Sequence, residues 1–129
     1  MRGGRNLAET LESRLAQWSE RTGVRVETWA LPATDVAAPV GQAVLETLNE
    51  ALANIERHSG AKVVSVAVTA SRDGLRMTVS DHGRGFPAEK AGRGIARMRA
   101  AIAEVGGTLS VSSVKGEGTT VTAAVPRRR

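Results

Sequence analysis

Leu7, Leu11, Leu15 and Trp18 recur at intervals of three and four residues. A helix turns about 100° per residue, so this spacing puts all four on one face. Residues 6–22 are therefore predicted to form an amphipathic helix. Asn6 stands at its N-cap, Glu9 at the capping-box position and Gly23 at its stop. The period then changes to two. "VRVETWA" (24–30) alternates like a strand, and "LPATDVAAP" reads as a loop. Helical spacing returns from Val40 to His58, with Val40, Val44, Leu48, Ala51 and Ile55 near one face and Gly60 as a stop. Two alternating stretches follow, "KVVSVAVTA" (62–70) and "LRMTVSD" (75–81), joined through the hairpin dipeptide Asp73-Gly74. Ile95, Met98, Ile102 and Val105 predict a third helix ending at Gly106-Gly107. "TLSVSS" (108–113) and "TTVTAAV" (119–125) form a last strand pair across "VKGEG".

The predicted order is helix, strand, helix, strand, strand, helix, strand, strand. Strands arriving as hairpin pairs exclude an all-parallel Rossmann sheet. They predict an α/β fold: a two-layer sandwich, with a mixed, mostly antiparallel sheet and about three helices on one face.

Composition narrows this reading. The 129 residues fit a single domain spanning 1–129. Aromatic residues make up 2%, so Ala, Val, Leu and Ile must build the core. Without Cys, a disulfide framework, a thiol nucleophile and a Cys-based zinc site are excluded. No apolar run approaches the ~20 residues that span a bilayer, and no signal peptide is visible, so a cytoplasmic location without direct membrane contact is expected. The net charge of +5 suits an anionic partner, although Arg127, Arg128 and Arg129 inflate it. With so few aromatics and no concentrated basic stripe, nucleic acid is not the expected partner.

Four stretches carry candidate chemistry. On the second helix Glu46, Glu50, Asn54 and Arg57 fall on one stripe, with Thr47 beside it and His58 at its edge. Acids, an amide and cations together can hold hydrated magnesium and phosphate oxygens, or can simply form a solvated face. In "VSDHGRGFP" (79–87), a strand ends at Asp81 and is followed by Gly83 and Gly85. A carboxylate accepts hydrogen bonds and glycines admit a ligand to the main chain, so an amine on a flat base suits both. In "AGRGIARM" (91–98), Gly92 and Gly94 are predicted to precede a helix start, an anion site flanked by Arg93 and Arg97. In "GEGTTV" (116–121), Thr119 or Thr120 can offer a hydroxyl to a ligand or to Asp81.

Taken in order, "NEALANIERHSGA", "VSDHGRGF", "GRGIARMRAAIAEVGGTLSVSS" and "GEGTTVTAAVP" resemble the motifs of the GHKL ATPase superfamily. More narrowly, residues 6–126 resemble the catalytic ATP-binding domain of two-component sensor histidine kinases, of the nitrate- and oxygen-sensor subfamily. The resemblance implies an α/β sandwich that binds ATP and Mg²⁺. It implies that Asn54 ligates the metal, with Glu50 near the metal and the terminal phosphate, and Arg57 and His58 near the phosphates. Asp81 would accept the adenine amine, Gly83 and Gly85 would admit the base, and Phe86 would begin a short lid. Gly92 and Gly94 would open the phosphate-facing helix, and Thr119 would sit near Asp81. His82 stands where the family usually has Asn or Asp, Arg93 where Leu is commoner, and Asn49 where Gln is usual.

Such kinases phosphorylate a histidine on a separate dimeric helical hairpin. No such hairpin fits before residue 6, so the chain reads as a fragment of a longer sensor kinase, unable to autophosphorylate alone. Its partners would be that phosphoacceptor domain and, indirectly, a response regulator. Two alternatives stand beside this reading: a serine kinase of the anti-sigma-factor type on the same fold, and a non-enzymatic nucleotide-binding module.

Overall fold

The structure, a computed structural model, describes residues 6–83, 92–114 and 116–126, with the side chains of His58 and Ser59 outside the description. Helix α1 spans Leu7–Thr22. The Asn6 side chain accepts from the Glu9 amide at 2.9 Å, and Gly23 closes the helix at φ 78°. Strand β1 follows (Arg25–Ala30), then helix α2 (Ala38–Asn54), which opens with Pro39 in its first turn. The chain continues as strands β2 (Val63–Ser71) and β3 (Gly74–Asp81), helix α3 (Gly92–Glu104), and strands β4 (Thr108–Val114) and β5 (Gly118–Pro126).

The five strands lie in the order β1-β2-β3-β5-β4. Only β1 and β2 run parallel; the β2–β3, β3–β5 and β4–β5 pairs are antiparallel. This is the mixed sheet of the expected sandwich. Alternation decides which face is covered. Val64, Val66 and Val68 of β2, Met77 and Val79 of β3, and Val121 and Ala123 of β5 are buried against Leu11, Leu48, Met98 and Ile102 of the helices. Burying each Val or Leu side chain stabilises by roughly 1.5–3 kcal/mol, so this row fixes the register. A one-residue slip would turn Ser65, Thr78 and Thr122 into the core instead.

Three local points refine or correct the expectations. The β2–β3 turn falls in "SRDG" as read, with Arg72-Asp73 at its centre, because Ser71 pairs with Gly74. Type I′ turns require positive φ at both central residues, and only Gly74, at φ 133°, has it here. Secondly, Gly92 and Gly94 do not precede α3 but form its first turn. Thirdly, α2 does not run regularly to His58. It ends at Asn54 and passes into a π-helical turn, Ile55–Ser59, closed by Gly60 at φ 66°.

Candidate functional site

The end of α2 brings the predicted stripe to the core edge. Asn54 is only 4% exposed, and its Oδ1 accepts from Arg57 Nη2 at 2.9 Å. Glu50, one turn earlier and half-buried, accepts from Arg97 Nη1 of α3 at 3.2 Å. Thr47 is fully buried, and its hydroxyl donates back to the Ala43 carbonyl at 2.8 Å. That bond satisfies it within the helix, so Thr47 is a packing residue. Glu46 is exposed to solvent.

Strand register supplies the second part. Asp81 sits directly opposite Thr119, which in turn sits opposite Ser113. Directly opposed residues share a face, so all three lie in one row toward the helices. The row begins at Val26 and Val64, so it passes from apolar to polar across the sheet. Asp81 is 2% exposed and Thr119 6%. Asp81 Oδ1 accepts from the Gly83 amide at 2.8 Å, and its second oxygen is buried. The Thr119 hydroxyl shares a 2.9 Å hydrogen bond with Ser113. Thr120 faces the other way and bonds Ser80 at 3.0 Å. Thr119 is therefore the threonine of the pair that serves this site. Gly118 explains why a glycine precedes it: its φ is 105°, and a Cβ there would overlap the Asp81 carbonyl oxygen.

Helix α3 closes the third side. A Cβ at Gly94 would lie 3.0 Å from both Asn54 Oδ1 and Nδ2 and 3.3 Å from Glu50 Oε2. Glycine thus lets the start of α3 rest on the stripe. A Cβ at Gly92 would meet none of the described residues, and so does not touch the stripe.

These parts meet at one small cavity of ≈ 10 Å³, about the room for a single water. Asn54, Asp81 and Thr119 line it, with Val79, Ile95 and Met98 as its apolar walls. A larger hollow of ≈ 730 Å³ lies at the other end of the sheet, beside Asp35, Val40, Arg72 and Glu104, and contains none of the predicted site residues. Gly85, Phe86 and the rest of the predicted lid lie outside the described residues, as does the His58 side chain. Sequence reasoning missed Ser113, which the register of the last hairpin would have placed opposite Thr119. It noted the charge of Arg97 without its partner, because only α2–α3 packing brings Glu50 to it.

On the side of the π turn away from the cavity, Glu56 pairs with Arg21 of α1 at 2.7 Å. The hydrogen bond from Arg21 holds the Glu56 carboxyl below its ordinary value, and the Trp18 indole adds to this. Arg21 is raised in return, chiefly by its hydrogen bond to Glu56.

Around this water-sized cavity Asp81 and Thr119, the Asn54–Glu50 pair and the glycine-opened start of α3 bring together hydrogen-bond acceptors, a hydroxyl and helix-start amides, groups suited to a polar ligand. Comparison with known proteins gives the family. Residues 40–129 match the family of histidine kinase-, DNA gyrase B- and HSP90-like ATPases. The chain belongs to that family.

The relatives of this ATPase domain are sensor kinases. Sensor histidine kinase LiaS of Bacillus subtilis is 31% identical over 126 residues, covering 95% of this chain and 35% of LiaS. Sensor histidine kinase MctS of Rhizobium johnstonii is 34% identical over 128 residues, covering 94% of this chain and 28% of MctS. The chain thus spans about a third of the length of these relatives. The histidine kinase domain of the Erythrobacter litoralis EL346 blue-light activated histidine kinase shares the fold, with a TM-score of 0.80 at 24% identity over 94% of this chain and 61% of that one. Within the family the chain therefore groups with the ATPase domains of two-component kinases. No helix among the described residues is long and apolar enough to cross a membrane.

Proposed function

We propose that this domain binds Mg·ATP and donates the γ-phosphate to a histidine on a separate helical dimerisation domain, in the cytoplasm, for onward transfer to a response regulator. The observation that carries the reading is the meeting of Asn54, Asp81 and Thr119 on one cavity, with Gly94 seated on Asn54 and Glu50. Met98-Arg99 and Gly106-Gly107-Thr108-Leu109 favour a sensor histidine kinase over the anti-sigma-factor type of serine kinase.

In this reading Asp81 accepts the adenine amine through its second oxygen, while the Gly83 amide fixes the first. The Thr119 hydroxyl, shared with Ser113, completes that end. Gly83 and Gly85, having no side chains, would admit the base, and Val79, Ile95 and Met98 supply an apolar wall. At the other end, the N-terminal amides of α3 at Gly92 and Gly94 face the phosphates, as helix starts favour anions. Arg57, beside Asn54, and Arg97, beside Glu50, add positive charge there.

The donors present fit a magnesium ion. Among the described residues no cluster of three or more His, Cys, Asp or Glu side chains forms. Asn54 Oδ1 and Glu50 Oε2 are instead two hard-oxygen donors that both lie beside the start of α3 at Gly94. Magnesium takes a few hard oxygens from protein and the rest from water and phosphate. Asn54 and Glu50 would hold it, and its charge would offset that of the phosphates. A phosphorus–nitrogen bond then forms to the histidine as the bond to the ADP oxygen breaks, and the domain contributes mainly by holding the two in line.

Incubation with Mg·ATP labelled at the γ-phosphate, together with the kinase's own dimerisation domain, tests this. The expected product is an acid-labile phosphate on that domain. An acid-stable phosphoserine would indicate the anti-sigma-factor type of kinase. Nucleotide binding without any transfer would indicate a binding module.

A further inference from the structure

The side of the π turn opposite Asn54 is held by a different helix. Both Glu56 oxygens accept from α1: Trp18 Nε1 and Arg21 Nη2 donate to Oε1 at 2.8 and 2.7 Å, and Arg21 Nη1 donates to Oε2 at 3.1 Å. The Trp18 ring is buried and cannot follow a moving partner. The Arg21 fork adds direction, since bidentate guanidinium–carboxylate pairs fix geometry as well as strength. The grip falls on the one irregular turn of the helix, Ile55–Ser59. Single π turns are rare and recur at functional sites. From this same turn Arg57 reaches back to Asn54 Oδ1 at 2.9 Å.

An exposed ion pair by itself adds little stability. This one shares its carboxylate with a core indole and sits one residue from Arg57. We propose that Glu56 is a positioning residue: the Trp18–Glu56–Arg21 clamp sets the rotation of the π turn, and so the placement of Asn54 and Arg57 toward a bound nucleotide. This rests on the nucleotide-binding reading above for its effect on affinity, but not for the mechanical coupling.

The test compares wild type with Glu56→Gln, Arg21→Ala and the double variant. Glu56→Gln keeps an acceptor for Trp18 and removes the charge that Arg21 grips. The Arg21 side chain is 63% exposed, so its loss leaves the core intact. Two readings are taken on protein with a wild-type circular dichroism spectrum. The first is the Asn54 side-chain amide resonance without nucleotide. The second is the Kd for Mg·ATP.

The account expects the Asn54 resonance to move in both single variants. It expects Kd to rise about five-fold in each, with the double variant no worse than either, because coupled residues are not additive. Arg21→Lys, which keeps charge without the fork, should fall between. An unmoved Asn54 resonance, or wild-type Kd in both single variants, overturns the proposal. Wild type that fails to bind Mg·ATP while the Asn54 resonance still moves supports the coupling and overturns the nucleotide reading instead.

Discussion

Gly92 and Gly94 look equivalent in "GRGI" and differ in what a side chain there would meet. Only Gly94 rests on Asn54 and Glu50. Gly94→Ala should therefore separate stability from binding. Replacing Gly by Ala inside a helix gains up to about 1 kcal/mol, which offsets part of the crowding. The thermal midpoint should change little, while affinity for Mg·ATP falls about ten-fold, as expected for a displaced polar contact worth about 1–1.5 kcal/mol. Gly92→Ala, which keeps the helix-start amide and adds a Cβ away from Asn54 and Glu50, is the matched comparison and should lose less affinity than Gly94→Ala. Gly118→Ala should behave differently, because its positive φ and the Asp81 carbonyl both oppose a side chain. A destabilisation of about 2 kcal/mol or more is expected, read from urea unfolding. The sequence made Asp81 legible as an acid at a strand end. It could not distinguish Gly92 from Gly94, since that difference arises from how α2 meets α3.

At the scale of elements, the period of α2 was legible as far as Asn54. The π turn beyond it was not, because apolar spacing does not register one extra residue in a turn. Arg57 nonetheless reaches Asn54 across this turn. The clamp on the turn predicts a pH dependence. Glu56 is held below its ordinary value of 4.5 in the folded chain. A depressed acid contributes stability that is fully present above its unfolded value and is lost as pH falls through the folded value. Wild type should thus be more stable than Glu56→Gln at pH 7, with the gap closing below 4.5. Because Arg21 is mostly exposed and solvent screens the pair, the gap should be small. Urea titrations of both proteins across that range measure it, and a gap that stays constant in acid would count against the clamp. Hairpins show a similar limit: Asp73-Gly74 located the β2–β3 turn in "SRDG", but only the pairing of Ser71 with Gly74 fixes Arg72-Asp73 as its centre.

Across the whole molecule, the two-layer sandwich followed from two facts in the sequence. Alternation gave each strand one apolar face, and paired strands excluded a parallel sheet. Strand order did not follow. Periodicity says which face a residue takes, not which strand lies beside it, so nothing local revealed that β5 inserts between β3 and β4. That insertion matters most for the site, because it places Thr119 beside Asp81 and Ser113 beyond it. The central claim is that this row reads the adenine of ATP. Titration with a fluorescent ATP analogue in the presence of Mg²⁺, on wild type and Asp81→Asn, tests it most directly. Asn keeps an acceptor for the Gly83 amide but places an NH₂ where a base amine needs an acceptor. Loss of one charge-assisted hydrogen bond, about 1.5–3 kcal/mol, predicts affinity at least ten-fold weaker in the variant with the fold retained. Undiminished binding by Asp81→Asn would contradict the account.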